Sequence, residues 1–156
     1  MKFMDRTLVV TSPYGPRTHP VTGEQESFHP GIDLQAHYEK LYSPCDGLVI
    51  KVWNNEICGN AIRIDHTDYQ NAYKHLSEMY VKEGDWITKG TCIGKTGNTG
   101  RVTGPHLHFE QRIINANNNW EVHDPYEYCQ KLWQKSDILL TAGLIVSGVI
   151  IVGVVL

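Results

Sequence analysis

Residues 106–113 read HLHFEQRI, and this stretch indicates the fold more directly than any other part of the chain. Its apolar and polar residues alternate at the start, which is the pattern of a β-strand with one buried face. Because side chains alternate across a strand, Leu107 and Phe109 are expected to face the core, and His106 and His108 to share the opposite face about 7 Å apart. Two imidazoles on one face suggest a site, although an isolated H-x-H is more often a pair of exposed or hydrogen-bonded histidines.

Four further apolar runs with β character come earlier in the chain: GLVIKVW (47–53), AIRID (61–65), NAYKHL (71–76) and TCIGK (91–95). Short strands at regular spacing, with no long helical periodicity before residue 125, predict a mainly β domain with an antiparallel sheet. Residues 12–22, which are rich in proline and glycine, are expected to be irregular rather than a strand or helix. Residues 125–135 (PYEYCQKLWQK) predict a short C-terminal helix.

Composition restricts the class of protein. A chain of 156 residues has room for one domain with a sizeable core. The net charge of −3, without any Lys/Arg cluster, argues against a nucleic-acid partner, which requires a concentrated basic face. Asp5 and Arg6 interrupt the apolar run that a signal peptide would need, so none is expected. The four cysteines form no C-x-x-C pair and are expected to be core-filling thiols, while pairing in an oxidising compartment stays open.

The C-terminal residues 138–156 (ILLTAGLIVSGVIIVGVVL) form a run of 19 uncharged positions. As a helix the run would be about 28 Å long, close to the roughly 30 Å hydrocarbon core of a bilayer. It predicts a transmembrane or membrane-inserting hydrophobic tail helix, the alternative being a buried helix of a soluble domain. The expected division of the chain is an N-terminal segment 1–11, a domain 12–130, a linker 131–137 and the membrane segment 138–156.

A second polar cluster, HPGID at residues 29–33, separates an imidazole from a carboxylate by four positions. Both groups are good zinc ligands, and three protein ligands with one water make up a catalytic zinc site. Taken alone, however, this cluster is more often a turn with a capping aspartate. His75, in the sequence YKHL, is a third candidate that alone would more often be structural.

Read in order, five stretches resemble the lysostaphin-type (LytM-like) zinc metallopeptidases that cut peptidoglycan peptides: SPYGPRTHPVTG, FHPGIDL, YKHL, GNTGRVTGPHLHFE and DPYEY. The resemblance covers residues 12–128. It implies a lysostaphin-like antiparallel β domain with a duplicated hybrid motif, and Zn2+ as cofactor. It makes His29, Asp33 and His108 the zinc ligands and His75 and His106 the catalytic histidines. All five residue types are present, whereas a non-catalytic binding module would be expected to have lost at least one.

The implied chemistry is metal-assisted hydrolysis. Zinc held by two imidazoles and one carboxylate keeps an open position and lowers the pKa of a bound water toward about 7. His106 is then expected to take a proton from the attacking water, and His75 to donate to the oxyanion or the departing amine. Glu110 is expected to be exposed or to support a ligand. Both the glycine cross-bridge and the stem peptide of bacterial peptidoglycan stay open as targets.

The expected location follows from the absent signal peptide and the apolar tail. Peptidoglycan lies outside the cytoplasmic membrane, so a bacteriophage is the expected means of delivery. The chain would act at the tail tip of a phage virion, with phage tail proteins as partners, or as a lysis enzyme in the host envelope. The alternative is a membrane-penetrating structural tail protein whose peptidase-like domain is an adaptor or a wall-binding module.

Overall fold

The computed structural model describes residues 2–23, 25 and 27–134, which form mostly antiparallel β-structure. The strands, in chain order, are β1 (Val10–Ser12), β2 (Gly15–Arg17), β3 (Ser27–His29), β4 (Ile32–Gln35), β5 (Lys40–Tyr42), β6 (Gly47–Asn55), β7 (Gly59–Asp65), β8 (Tyr69–Leu76), β9 (Glu78–Met79), β10 (Trp86–Ile87), β11 (Cys92–Lys95), β12 (His106–Ile114) and β13 (Trp120–His123). A helix, α1, follows over residues 126–134. The predicted tail helix over 138–156 lies outside the described residues, and no helix within them is long and apolar enough to cross a bilayer.

The central sheet places its strands in the order β1-β4-β12-β8-β7-β6-β10, and β13 pairs with the second half of β12. Two smaller sheets contain β5-β11-β9 and β2-β3. Strand β12 lies between β4 and β8, so that His108 is directly opposite Asp33 on one side and Lys74 on the other. The predicted mainly antiparallel β architecture and the short C-terminal helix are confirmed.

The five runs that the sequence predicts as strands correspond to β6, β7, β8, β11 and β12. The expectation of an irregular segment over residues 12–22 is wrong in part, because Gly15–Arg17 forms β2 and pairs with β3. Gly15 enters this strand with a φ of 110°, a conformation that suits glycine. A three-residue strand containing Pro16 shows no alternation that a pattern search could detect.

The core contains Leu107 and Phe109 of β12, both fully buried as predicted. Phe109 stacks on Phe3, with ring centroids 4.7 Å apart. The backbone of Phe3 is held as well, since the Tyr42 amide donates to its carbonyl at 3.0 Å. The segment that the sequence places before the domain therefore supplies a core side chain to it.

Helix α1 closes the core on the same side as Phe3. Its residues Leu132 and Trp133, which the sequence assigns to a linker, are buried because the helix continues past residue 130. The Trp133 indole meets the Phe3 ring edge-on at 4.9 Å, and its N–H donates to the Arg6 carbonyl at 2.8 Å. Cys129, also on α1, is buried, whereas the other three cysteines are half-buried; all four are free thiols.

Candidate metal centre

Three side chains that the sequence predicts as ligands come together from neighbouring strands. His29 ends β3, Asp33 lies on β4 and His108 on β12. The facing atoms, His29 Nε2, Asp33 Oδ1 and His108 Nδ1, form a triangle with sides of 3.1, 3.0 and 2.9 Å, called here the ligand triangle. Zinc bonds of about 2.0–2.1 Å place tetrahedral ligand atoms about 3.3 Å apart. The ligand triangle therefore has nearly the size of one face of a zinc site.

The strand register and one glycine explain why these residues meet. Asp33 and His108 are paired across β4 and β12, and therefore project from the sheet side by side. His29 returns to them through the turn at Pro30 and Gly31, which passes directly over β12. A Cβ on Gly31 would lie 2.3 Å from the Phe109 carbonyl oxygen, so only glycine allows this approach.

Hydrogen bonds on the outer ring nitrogens assign the tautomers of both histidines. His29 Nδ1 donates to the Pro13 carbonyl at 2.7 Å, and His108 Nε2 donates to Glu110 Oε1 at 3.1 Å. A neutral imidazole carries only one N–H, so both facing nitrogens present lone pairs to the Asp33 carboxylate. Three electron-rich atoms this close require a cation between them. The donor set therefore fits zinc.

The pKa shifts at the centre also favour a positive charge there. Burial lowers the pKa of His108, but hydrogen bonds to Asp33 and Glu110 outweigh burial and raise it above its usual value. Burial likewise raises the pKa of Asp33, yet its contacts with the His108 and His29 rings bring it well below its ordinary range. The centre thus keeps a carboxylate ionised and attracts positive charge.

Two further residues support the ligands through their outer atoms, and sequence reasoning missed the first of them. Arg17 Nη1 lies 3.1 Å from Asp33 Oδ2, which leaves Oδ1 to face the ligand triangle. The only feature of the sequence that could have indicated this role for Arg17 is its position in the SPYGPR stretch. Glu110 is buried and accepts from both His108 and Lys74. Burial raises the pKa of Glu110, but these two partners lower it to about 2, so Glu110 is an ionised support for His108.

His75 and His106 lie beside the ligand triangle, with ring centroids 4.8 Å apart. His106 Nε2 is 3.6 Å from Asp33 Oδ1. Nδ1 of His75 donates to the Thr99 carbonyl and Nδ1 of His106 to the Gly104 carbonyl, both at 2.9 Å, so each Nε2 carries a lone pair. Burial and the neighbouring His106 and His108 rings lower the pKa of His75 to about 4, which keeps this imidazole neutral near pH 7.

A β-bulge turns His75 toward the centre. The pairing of β7 with β8 shifts register between Ile62↔Tyr73 and Asn60↔Leu76, and His75 adopts a φ of 64° within that shift. Without the bulge, Tyr73 and His75 would share one face. Instead Tyr73 is fully buried against Phe3 and Phe109, while the re-aimed His75 reaches the groove.

An open groove of about 520 Å³ lies over the centre and is lined by Asp33, His75, His106 and His108, with Arg17 and Arg101 at its sides. A smaller side cavity of about 290 Å³ adjoins it and includes His29, Phe28, Ile57 and Cys58. All five residues predicted for the site therefore line one continuous depression. Their individual roles stay predictions.

Two glycines of the loop at residues 97–104 allow the loop backbone to lie close against neighbouring backbone segments. A Cβ on Gly97 would lie 2.4 Å from the Ser77 amide nitrogen, and one on Gly100 would lie 2.3 Å from that of Gly59. Gly104, by contrast, has open space beside it and lines the groove. Gly104 is thus the glycine of this loop that leaves space in the groove, two residues before the start of β12.

The sequence matches the family model described as Peptidase family M23 over residues 27–123. One relative is the peptidoglycan DD-endopeptidase ShyA of Vibrio cholerae serotype O1, which is 41% identical over 110 residues. That match covers 69% of this chain and 25% of ShyA. The chain thus spans about a quarter of the length of curated relatives that it matches.

Solved structures share the fold. A zinc-containing peptidase from Vibrio cholerae superposes with a TM-score of 0.66 at 37% identity, covering 78% of this chain and 37% of that one. The catalytic domain of the antimicrobial peptidase lysostaphin from Staphylococcus simulans superposes with a TM-score of 0.66 at 28% identity, covering 79% of this chain and 92% of that one. The lysostaphin-like fold implied by the sequence motifs is confirmed.

Proposed function

This chain belongs to Peptidase family M23, a family of zinc metallopeptidases, and from that membership we propose that it hydrolyses peptide bonds of bacterial peptidoglycan. His29, Asp33 and His108 are the proposed zinc ligands. The observation that carries the proposal is the ligand triangle, in which two imidazole lone pairs and a carboxylate oxygen converge beside two further histidines at an open groove. The name of ShyA supports peptidoglycan as the substrate.

Zinc, when bound, supplies an electrophile for the scissile carbonyl and makes a water acidic enough to attack at neutral pH. His106 Nε2 accepts the proton of that water, because Gly104 keeps the other ring nitrogen protonated. His106 then returns the proton to the departing amine. His75 is held in the same tautomer by Thr99, so its Nε2 orients the water or the substrate by accepting a hydrogen bond. The donor role expected for His75 would need a second ring proton, which burial opposes.

The test is digestion of purified peptidoglycan by the zinc-loaded full chain, followed by mass spectrometry of the released muropeptides. We expect new amine termini that identify the cleaved bond, and no products after chelation. His106→Ala should reduce the rate by roughly 10²–10⁴-fold while zinc content is retained. His123→Ala, an exposed histidine on β13, is the matched control and should leave the rate unchanged. Digestion that persists after chelation, or that is as fast in the His106→Ala variant as in the unmodified chain, contradicts the proposal.

Membrane association is proposed from the uncharged residues 138–156 alone. The full chain should float with lipid vesicles in a density gradient. A double variant with Ile145→Lys and Ile150→Lys should stay at the bottom, because each charge costs about 2.5–3.5 kcal/mol at the centre of a bilayer helix. Flotation of the double variant, or its absence in the unmodified chain, contradicts membrane insertion.

Delivery by a phage particle is a separate proposal with its own test. Mass spectrometry of purified virions of a phage that encodes the chain should detect it, at the tail tip or with tail proteins. Its absence from virions leaves the lysis-enzyme alternative. The structural-protein alternative predicts a different result: vesicle leakage caused by the full chain with no hydrolysis of peptidoglycan.

A further inference from the structure

Arg101 differs from the other lysine and arginine side chains at the groove and the side cavity. Arg17 is paired with Asp33, and Lys74 is paired with Glu110. Arg101 is exposed and lines both spaces, yet its guanidinium has no ion pair or hydrogen bond among the described residues. A guanidinium with five donors is thus available to whatever occupies the groove.

The backbone around Arg101 is held firmly, which fixes where this cation is presented. The Arg101 amide donates to the Ile57 carbonyl at 3.1 Å. Two residues earlier, Thr99 Oγ1 donates to the Leu76 carbonyl at 2.8 Å and accepts from the Asn60 amide at 3.0 Å. The Thr99 carbonyl also accepts from His75, so the loop that carries Arg101 is joined directly to a proposed catalytic residue.

Charge in the groove favours an anion near Arg101. Among the described residues lining the groove and the side cavity, Asp33 is the only carboxylate. Its Oδ1 faces the ligand triangle and its Oδ2 accepts from Arg17, so it does not neutralise Arg101. An anionic group entering beside Arg101 would therefore be attracted by its guanidinium, and Asp33 is the only lining carboxylate in the described part of the chain.

We propose that Arg101 binds a free carboxylate of the substrate peptide, and that the chain consequently prefers carboxylate-bearing stem peptides to the uncharged glycine bridge. This inference rests on the proposed function and names its substrate class. A guanidinium pairs with a carboxylate through two parallel hydrogen bonds, which an amide or a glycine cannot reproduce. The carboxylate is either the peptide's α-carboxylate or the side-chain carboxylate of its diamino acid.

The test uses the zinc-loaded full chain and synthetic cross-linked stem peptides that differ only in amidation. One peptide has both carboxylates free, two have one or the other amidated, and one has both amidated; pentaglycine with an acetylated N-terminus and an amidated C-terminus is the uncharged comparison. We expect kcat/KM to fall by roughly tenfold to a hundredfold when the carboxylate that meets Arg101 is amidated. The two singly amidated peptides identify which carboxylate that is.

Variants assign the effect to Arg101. Arg101→Gln should raise KM on the carboxylate peptide by the same tenfold to hundredfold factor, with kcat changing much less, and should abolish the preference over the amidated peptide. Arg101→Lys should recover part of the preference, because it restores the charge without the planar fork. Lys89→Gln, an exposed lysine outside the groove lining, is the control and should keep the full preference.

The outcomes separate this inference from the function on which it rests. A chain that hydrolyses none of the peptides overturns the proposed function and the inference together. Hydrolysis with no preference for the free carboxylate overturns the inference alone. So does an Arg101→Gln variant that keeps the preference, or one that loses equal activity on every peptide, since the latter reports damage to the loop.

Discussion

The site has a ligand side, built on the sheet, and a loop side, built on residues 97–104. The two sides differ in whether their polar side chains have partners within the protein. On the ligand side, His29, Asp33 and His108 are 2%, 8% and 6% exposed, and each has a partner for its outer nitrogen or oxygen. On the loop side, Arg101 is exposed and without a side-chain partner among the described residues. The sheet therefore fixes the geometry for metal binding, while the loop leaves a charge open for substrate. Each property can be altered without the other.

The largest expected effect comes from removing a ligand. Asp33→Ala should abolish stoichiometric zinc binding and reduce peptidoglycan hydrolysis to background, because two imidazoles alone leave the cation without its charged ligand. Zinc content by elemental analysis and product release should fall together. Asp68→Ala, an exposed aspartate, is the control. A variant that loses hydrolysis but keeps full zinc would show that the ligand side does not determine metal binding.

An intermediate effect is expected at the support for His108. Glu110→Gln should weaken zinc affinity by roughly 10- to 100-fold, because the His108 ring loses a charged acceptor and the Lys74 ammonium loses its partner. The measurement is competition with a chelator of known affinity. The exposed pair Glu78–Lys95 provides the control, since Glu78→Gln breaks a similar contact of 2.7 Å at the surface. Equal losses in the two variants would contradict a specific role for Glu110.

The smallest effect concerns backbone strain at the junction of the two sides. His75 has a φ of 64°, which costs a non-glycine residue about 1–2 kcal/mol. His75→Gly should therefore be more stable than His75→Ala by about 1 kcal/mol in urea unfolding, although both lose the imidazole and with it most activity. Equal unfolding free energies would show that the bulge relaxes when the ring is removed.

The sequence predicted features that a short stretch of residues encodes, and it missed contacts between residues far apart in the chain. The alternation at 106–113 indicated strand β12 and the shared face of its two histidines, and motif order brought His29, Asp33 and His75 to the same site. The contact of Arg17 with Asp33 depends on the pairing of β2 with β3, which the sequence pattern did not indicate. Burial of Phe3 is equally long-range, because its partners Phe109 and Trp133 lie more than a hundred residues away.

Pairing of β4 with β12 also has a consequence for the order of folding events. His29 and His108 are separated by 79 positions, so an unfolded chain offers no preformed zinc site. A slip of one residue in the pairing of Asp33 with His108 would send one of the two side chains to the opposite face of the sheet. Zinc uptake must therefore follow this long-range pairing, and the metal stabilises only chains in which the strands have met in the correct register.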